Sequence, residues 1–138
     1  MRRGADRPTA SQRPLKVDAV QLLRLSAITT HVLDTSLGRP AAGVNVVLDR
    51  GVGSDQWQLV GRGQTDADGR LRTLMPVGAP LTPGSYRLVF DTGEYFELRG
   101  MRAFYPAVII LFEVIAGEAH YHVPLLISPF GYTTYRGS

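Results

Sequence analysis

Cysteine is absent from this 138-residue chain, which excludes disulfides and thiolate metal sites. The absence fits a reducing compartment, although exported proteins also lack cysteine often enough. Long apolar runs are missing too, and no stretch approaches the ~20 residues of a membrane span. The start is basic, but Ala19–Leu25 is short and interrupted by Gln21 and Arg24, so no convincing secretory signal is read. A cytoplasmic location is expected, with the periplasm as the other option. Excess charge is small, at +3. Much of it comes from Arg2, Arg3, Arg7, Arg13, Lys16 and Arg24, against Asp6 and Asp18. The rest of the chain is near neutral, so no nucleic-acid footprint spreads over the fold. Internal repeats are lacking.

What is present suits one domain of ordinary composition, with 44% hydrophobic residues. A chain of this length buries roughly two-thirds of the surface its unfolded form exposes, enough for its own core. Residues 1–26 read as a disordered extension, because their Arg, Pro, Ala, Ser and Thr cannot build a core; Val17–Leu25 could add a short helical turn. Residues 27–138 read as the folded domain.

Short strand-like runs follow one another at close spacing there. Ile28–Leu33 comes first, then a turn at Leu37–Pro40, a β-branched run at Val44–Leu48, a loop at Gly51–Asp55 and a run at Trp57–Val60. Asp66–Gly69 is a strong turn, since Asp bonds nearby amides and Gly tolerates positive φ. Tyr86–Phe90 alternates in polarity. Glu94–Met101 is the one plausible helix, ending near Gly100. Ala107–Val114 is almost wholly apolar, as expected of a strand buried on both faces. His120–Ser128 and Tyr132–Tyr135 complete the set. Many short strands without alternating helices predict an all-β sandwich or barrel.

Histidine is scarce, with only His31, His120 and His122, and it is the natural base near neutral pH. Alternation along a strand puts His31 on one face with Thr29 and Leu33, and His120 on one face with His122 and Pro124. A polar face interrupted by proline suits a cleft or an interface, and Pro124 itself implies an edge strand or a local irregularity. His120 and His122 could also pair on a metal, but no clear third ligand stands in the sequence. Asp66 and Asp68 resemble a fragment of a calcium loop without its remainder, so turn chemistry accounts for them better. Gly61-Arg62-Gly63 lacks the Lys-Ser/Thr and helix of a phosphate loop. Arg70 after its turn could be a solvated charge, and Tyr135–Ser138 a frayed tail.

Several separated segments carry a resemblance. His31-Val32-Leu33-Asp34-Thr35-Ser36-Leu37-Gly38-Arg39-Pro40-Ala41 resembles the N-terminal signature of the transthyretin family. Tyr121-His122-Val123-Pro124-Leu125-Leu126-Ile127-Ser128-Pro129-Phe130-Gly131-Tyr132 resembles its C-terminal signature. The ending Tyr135-Arg136-Gly137-Ser138 looks like the hallmark of the 5-hydroxyisourate hydrolase branch. Thr65–Arg70, Tyr95-Phe96 and Phe104-Tyr105-Pro106 are similar to family segments in the same order. Ile127 and Thr133 depart, where Leu and Ser are commoner. Motifs in consistent order are far more specific than any one of them.

The resemblance implies a transthyretin-like β-sandwich of two four-stranded sheets with one short helix. It implies a homotetramer whose sites lie in a channel between dimers, with no cofactor, no metal, no nucleic acid and no membrane. The branch opens 5-hydroxyisourate, the unstable product of urate oxidation, to 2-oxo-4-hydroxy-4-carboxy-5-ureidoimidazoline. The family's positions fall on His31, Arg70, His122 and Ser138 as catalytic residues. His31, Arg70, Tyr135 and Arg136 fall at substrate-binding positions, and His120 takes a lesser part. A carrier like transthyretin proper is the alternative. It has Lys where His31 stands and Thr where His122 stands, and it lacks the Tyr-Arg-Gly-Ser ending. A plain β-sandwich interaction module would need neither the histidine face nor the tetrapeptide.

Overall fold

The computed structural model describes residues 26–138. Residues 1–25 of the expected N-terminal extension, with its helical turn, therefore lie outside the described residues; Ser26 is buried and its amide donates to the Arg72 carbonyl at 2.9 Å, so it belongs to the folded domain. Among the described residues, nine strands form two sheets packed face to face, with one helix between two of the strands. The strands are β1 (Ile28–Asp34), β2 (Arg39–Pro40), β3 (Asn45–Gly53), β4 (Gln56–Gln64), β5 (Arg70–Leu71), β6 (Gly84–Phe90), β7 (Val108–Val114), β8 (Tyr121–Ser128) and β9 (Gly131–Thr134). Helix α1 (Thr92–Glu97) sits between β6 and β7. One sheet runs β4-β3-β6-β7; the other runs β2-β1-β8-β9, with the two-residue β5 also paired to β1. The expected two-sheet sandwich is the observed one, and β5 is the addition.

The core lies between the sheets because period-two alternation gives each strand one apolar face. Ile28, Val32, Val123, Leu125 and Ile127 point in from one sheet, and Val46, Leu48, Tyr86, Leu88 and Phe90 from the other. The opposite face of the first sheet carries Thr29, His31, Leu33, His122 and Pro124, and it is this outer face that matters for chemistry.

Four expectations need correction. Ala107–Val114 is not buried on both faces. Val108 and Val114 are buried, while Ile109 and Leu111 are 58% and 66% exposed, because β7 is an edge strand and no described segment covers its outer side. Gly51–Asp55 is mostly strand: β3 runs through Gly53, and only Ser54 and Asp55 turn the hairpin, Asp55 with φ of 56°. The helix begins earlier and is shorter. Asp91 caps it by accepting from the Glu94 amide, and the chain unwinds after Glu97 toward Gly100. Of the two readings of Pro124, the edge strand does not hold, because β8 is interior to its sheet. The proline is tolerated because the β9 ladder begins only at Leu125, so its missing amide falls in a local irregularity.

Candidate active site

β1 and β8 pair in parallel, with Thr29 opposite His122 and His31 opposite Pro124. A parallel pair between residues some ninety positions apart brings two histidines from distant segments onto one face. β5 then adds Arg70 directly opposite His31. The turn before it does the placing. Asp66 Oδ1 accepts from the amides of Asp68 and Arg70, both at 2.9 Å, and those amides hold its pKa below the usual carboxylate range, that of Arg70 most. Gly69 has φ of 76°, and a Cβ there would lie 2.3 Å from the Val32 carbonyl oxygen. Only glycine lets the turn lie this close against β1. The motif read from sequence as a turn is therefore the device that holds Arg70 beside His31.

The end of the chain closes the arrangement. The Gly137 amide donates to the His122 carbonyl at 2.8 Å, and the two residues form a β-bridge. Thr29, Thr30, Arg70, Arg72, His120, His122 and Ser138 line one cavity of about 170 Å³. The last four residues are thus not frayed.

Each imidazole has a defined partner. The Asp68 carbonyl lies 2.9 Å from His31 Nε2. A carbonyl can only accept, so neutral His31 carries its proton on Nε2 and keeps a lone pair on Nδ1. His122 Nδ1 is hydrogen-bonded to Thr29 Oγ1 at 2.8 Å, leaving Nε2 for a ligand. The pKa of His31 is lowered, first by burial and then by the Arg70 charge. That of His122 is lowered by burial, then by Arg70, His120 and His31. Both rings are accordingly neutral near pH 7 and able to accept a proton.

Three of the residues expected from sequence line this cavity, Arg70, His122 and Ser138, and His31 lies beside it, paired with Arg70 across β1 and β5. Two do not join them within this chain. Tyr135 and Arg136 line a second cavity, with Phe112, Tyr121 and Val123 among its walls. Arg136 pairs with Glu118 at 2.8 Å, lies over the Tyr121 ring at 4.4 Å and donates to the His120 carbonyl. Its guanidinium fixes the segment that carries His120. Sequence reasoning missed Thr29 and Arg72. Thr29 looked like an ordinary strand residue, and only the β1–β8 register shows what faces it. Arg72 had a usable signal: it stands two residues beyond Arg70, with the buried Leu71 between them. Among the described residues, no group of three or more His, Cys, Asp or Glu is placed to hold a metal ion, and no helix is long and apolar enough to cross a membrane.

Residues 28–137 match the model of the HIUase/Transthyretin family. The chain belongs to this family. It is 46% identical over 118 residues to a 5-hydroxyisourate hydrolase of Caulobacter vibrioides, covering 83% of this chain and 100% of that one. It is 44% identical over 114 residues to the mouse 5-hydroxyisourate hydrolase, covering 82% and 96%. Among solved structures, the 5-hydroxyisourate hydrolase of Klebsiella pneumoniae superposes with a TM-score of 0.72 at 39% identity, covering 83% of this chain and 100% of that one. Sea bream transthyretin in complex with thyroxine superposes with a TM-score of 0.74 at 31% identity, covering 81% and 95%.

Proposed function

We propose that this chain is an enzyme that hydrolyses 5-hydroxyisourate, opening its ring at an amide-like carbonyl. The observation that carries the reading is the cluster of His31, Arg70, His122 and Ser138, drawn from β1, β5, β8 and the last residue onto one outer face. A carrier pocket would need no pair of neutral imidazoles beside a guanidinium.

Hydrolysis needs a base for water and a donor for the oxyanion that forms. His31 Nδ1 holds a free lone pair, because its Nε2–H is spent on the Asp68 carbonyl; His122 Nε2 holds one in the tautomer whose Nδ1–H donates to Thr29 Oγ1. One of them takes a proton from water as the water oxygen bonds to the ring carbonyl carbon. Arg70 stays charged throughout and offers a planar fork of donors to the oxygen that becomes negative. The C–N bond then breaks, the nitrogen takes up the second proton of the added water, and the acyl carbon is left as a carboxylate. Ser138 closes the cavity beside His122. Tyr135, 59% exposed, lines the separate cavity within one chain and reaches the ring only where a second copy completes the channel. Arg136 contributes by holding the His120 segment.

The working form is a homotetramer with sites in a channel between dimers. The site lies on an outer sheet face and is shallow within one chain. Leu37, Phe130 and Tyr132 expose 47%, 73% and 42% of their surfaces, which is apolar area for a second copy to cover. Sedimentation velocity tests this; a stable monomer with full activity would refute the shared channel. The compartment that fits the sequence best is the cytoplasm.

The deciding assay generates 5-hydroxyisourate in the cuvette with urate oxidase and follows its ultraviolet absorbance. Accelerated decay that His31→Ala loses supports the hydrolase. No acceleration by a folded, tetrameric protein would leave the carrier reading, which the likeness to sea bream transthyretin otherwise favours.

A further inference from the structure

Ring hydrolysis leaves the site with one proton too many. Water adds to an acyl carbon, and the carboxylic acid that forms ionises at neutral pH, so each turnover must export a proton. A half-buried imidazole that receives it beside Arg70 and Arg72 is a poor place to store it. The structure holds an exit that the mechanism above does not use.

Thr29 stands between two imidazoles. Its Oγ1 is 2.8 Å from His122 Nδ1 and 3.4 Å from His120 Nε2. Thr29 is 4% exposed, while His120 is exposed to solvent. A hydroxyl is the one small side-chain group that accepts and donates at the same atom. Valine would fill the same space and do neither. The parallel register that sets Thr29 opposite His122 holds the contact. The Arg136 bond to the His120 carbonyl and the Arg136–Glu118 pair hold the other end.

We propose that His122, Thr29 and His120 form a proton relay from the cavity to solvent, with Thr29 as a positioning residue for His122. The relay rests on the hydrolase reading above. In the resting state, His122 Nδ1–H donates to Thr29 Oγ1, and the Thr29 hydroxyl donates to His120 Nε2. When His122 Nε2 takes a proton from the attacking water, its Nδ1 proton passes to Thr29. The Thr29 hydroxyl proton passes to His120, which becomes imidazolium and releases a proton to water. One proton enters and one leaves, and no electrons change hands. The charged and titratable groups facing the relay are Arg70 and Arg72 from the β5 side, His31 from β1, and, at the His120 end, Arg136 paired with Glu118; Ser138 lines the same cavity. Arg70 and Arg72 favour expulsion of the proton.

Three measurements decide it, made beside the wild-type protein on freshly generated 5-hydroxyisourate. Thr29→Val should lower kcat by about 100-fold, the low end of what a general acid–base contribution spans, with KM little changed and the fold intact by circular dichroism. Thr29→Ser should restore most of the rate. His120→Ala should lower kcat and make it rise with added imidazole. Independently of activity, nitrogen-15 spectra of the imidazoles should show His122 protonated on Nδ1 in the resting protein. A folded Thr29→Val protein with wild-type kcat, a His120→Ala rate indifferent to imidazole, or His122 protonated on Nε2 would each overturn the relay. Should Thr29→Val fail to fold, the His120→Ala rates and the spectra still decide. An inactive wild-type protein would instead refute the hydrolase reading, and the spectra would then judge the hydrogen-bond chain alone.

Discussion

The Gly137 amide donates to the His122 carbonyl at 2.8 Å, so the chain's last residues are bonded to the strand that carries the second imidazole. A Cβ at Gly137 would lie 2.7 Å from His122 Cδ2 and 3.0 Å from Pro124 Cγ. Glycine is required there because the backbone lies directly against a ring and a proline. Gly137→Ala should push the tail off His122 and lower kcat/KM by about tenfold or more, as small misplacements do at a reacting centre. Because Gly137 lies outside the core, the melting temperature should fall by no more than a few degrees. Steady-state kinetics with differential scanning calorimetry check this; equal activity in a folded variant would remove the tail from the site.

Arg70 should matter to rate far more than to fold. Arg70→Gln removes the charge facing the oxyanion and should lower kcat by about 100-fold, in the range seen for loss of one such donor. Its denaturation midpoint should stay close to wild type, since the side chain is only half-buried. Normal turnover in that variant would sink its role.

The acid limb of activity should lie below pH 6.5. His31 and His122 are lowered first by burial and then by Arg70, and they act as neutral bases, so activity is lost only as pH falls through these depressed values. The limb reports the coupled group and not one ring. Arg70→Gln should move its midpoint up toward 6.5 in the residual activity. The same shifts set a stability trend. The unfolded chain binds protons at these rings before the native state does, so stability declines as pH falls from 6.5 through the native values. A pH series of kcat/KM and of thermal midpoints checks both signs.

Arg72 should act as an electrostatic guide. It is exposed, lines the same cavity as Arg70 and forms no ion pair among the described residues. Arg72→Gln should lower kcat/KM by about fivefold at low salt and flatten its salt dependence, because the lost interaction is screened over ~10 Å at 0.1 M. Identical salt slopes for the two proteins would contradict this.

Tyr95 and Asp34 anchor the far end of β1. The Tyr95 hydroxyl donates to Asp34 Oδ2 at 2.8 Å, and Asp34 is fully buried. Burial and this carboxylate push the Tyr95 pKa up to about 12. Tyr95→Phe should destabilise by about 1–3 kcal/mol, the range for depriving a buried acceptor of its donor. The contribution is complete below pH 10 and is lost as pH rises toward about 12. Urea unfolding at pH 7.5 and at alkaline pH checks both the size and the sign.

Much of this protein was legible in its residues. Alternating short runs and their turns determined an all-β sandwich or barrel, because a strand's period and its punctuation are local properties, and the family resemblance narrowed it to a two-sheet sandwich. Asp66–Gly69 read correctly as a turn for the same reason: its hydrogen bonds close within five residues. Scarce histidines and the ordered signature segments pointed to His31, Arg70, His122 and Ser138 as one set. Tertiary structure alone decided how they meet. The parallel β1–β8 register joins residues some ninety positions apart, so the Thr29–His122 bond and the path to His120 leave no mark in local sequence. It also decided that Ala107–Val114 shows one apolar face to the outside, since an apolar run records a preference for burial but not whether a neighbour is there to cover it. And it turned Gly137 from a tail residue into a contact, because only a fold shows that a ring occupies the space a side chain would take.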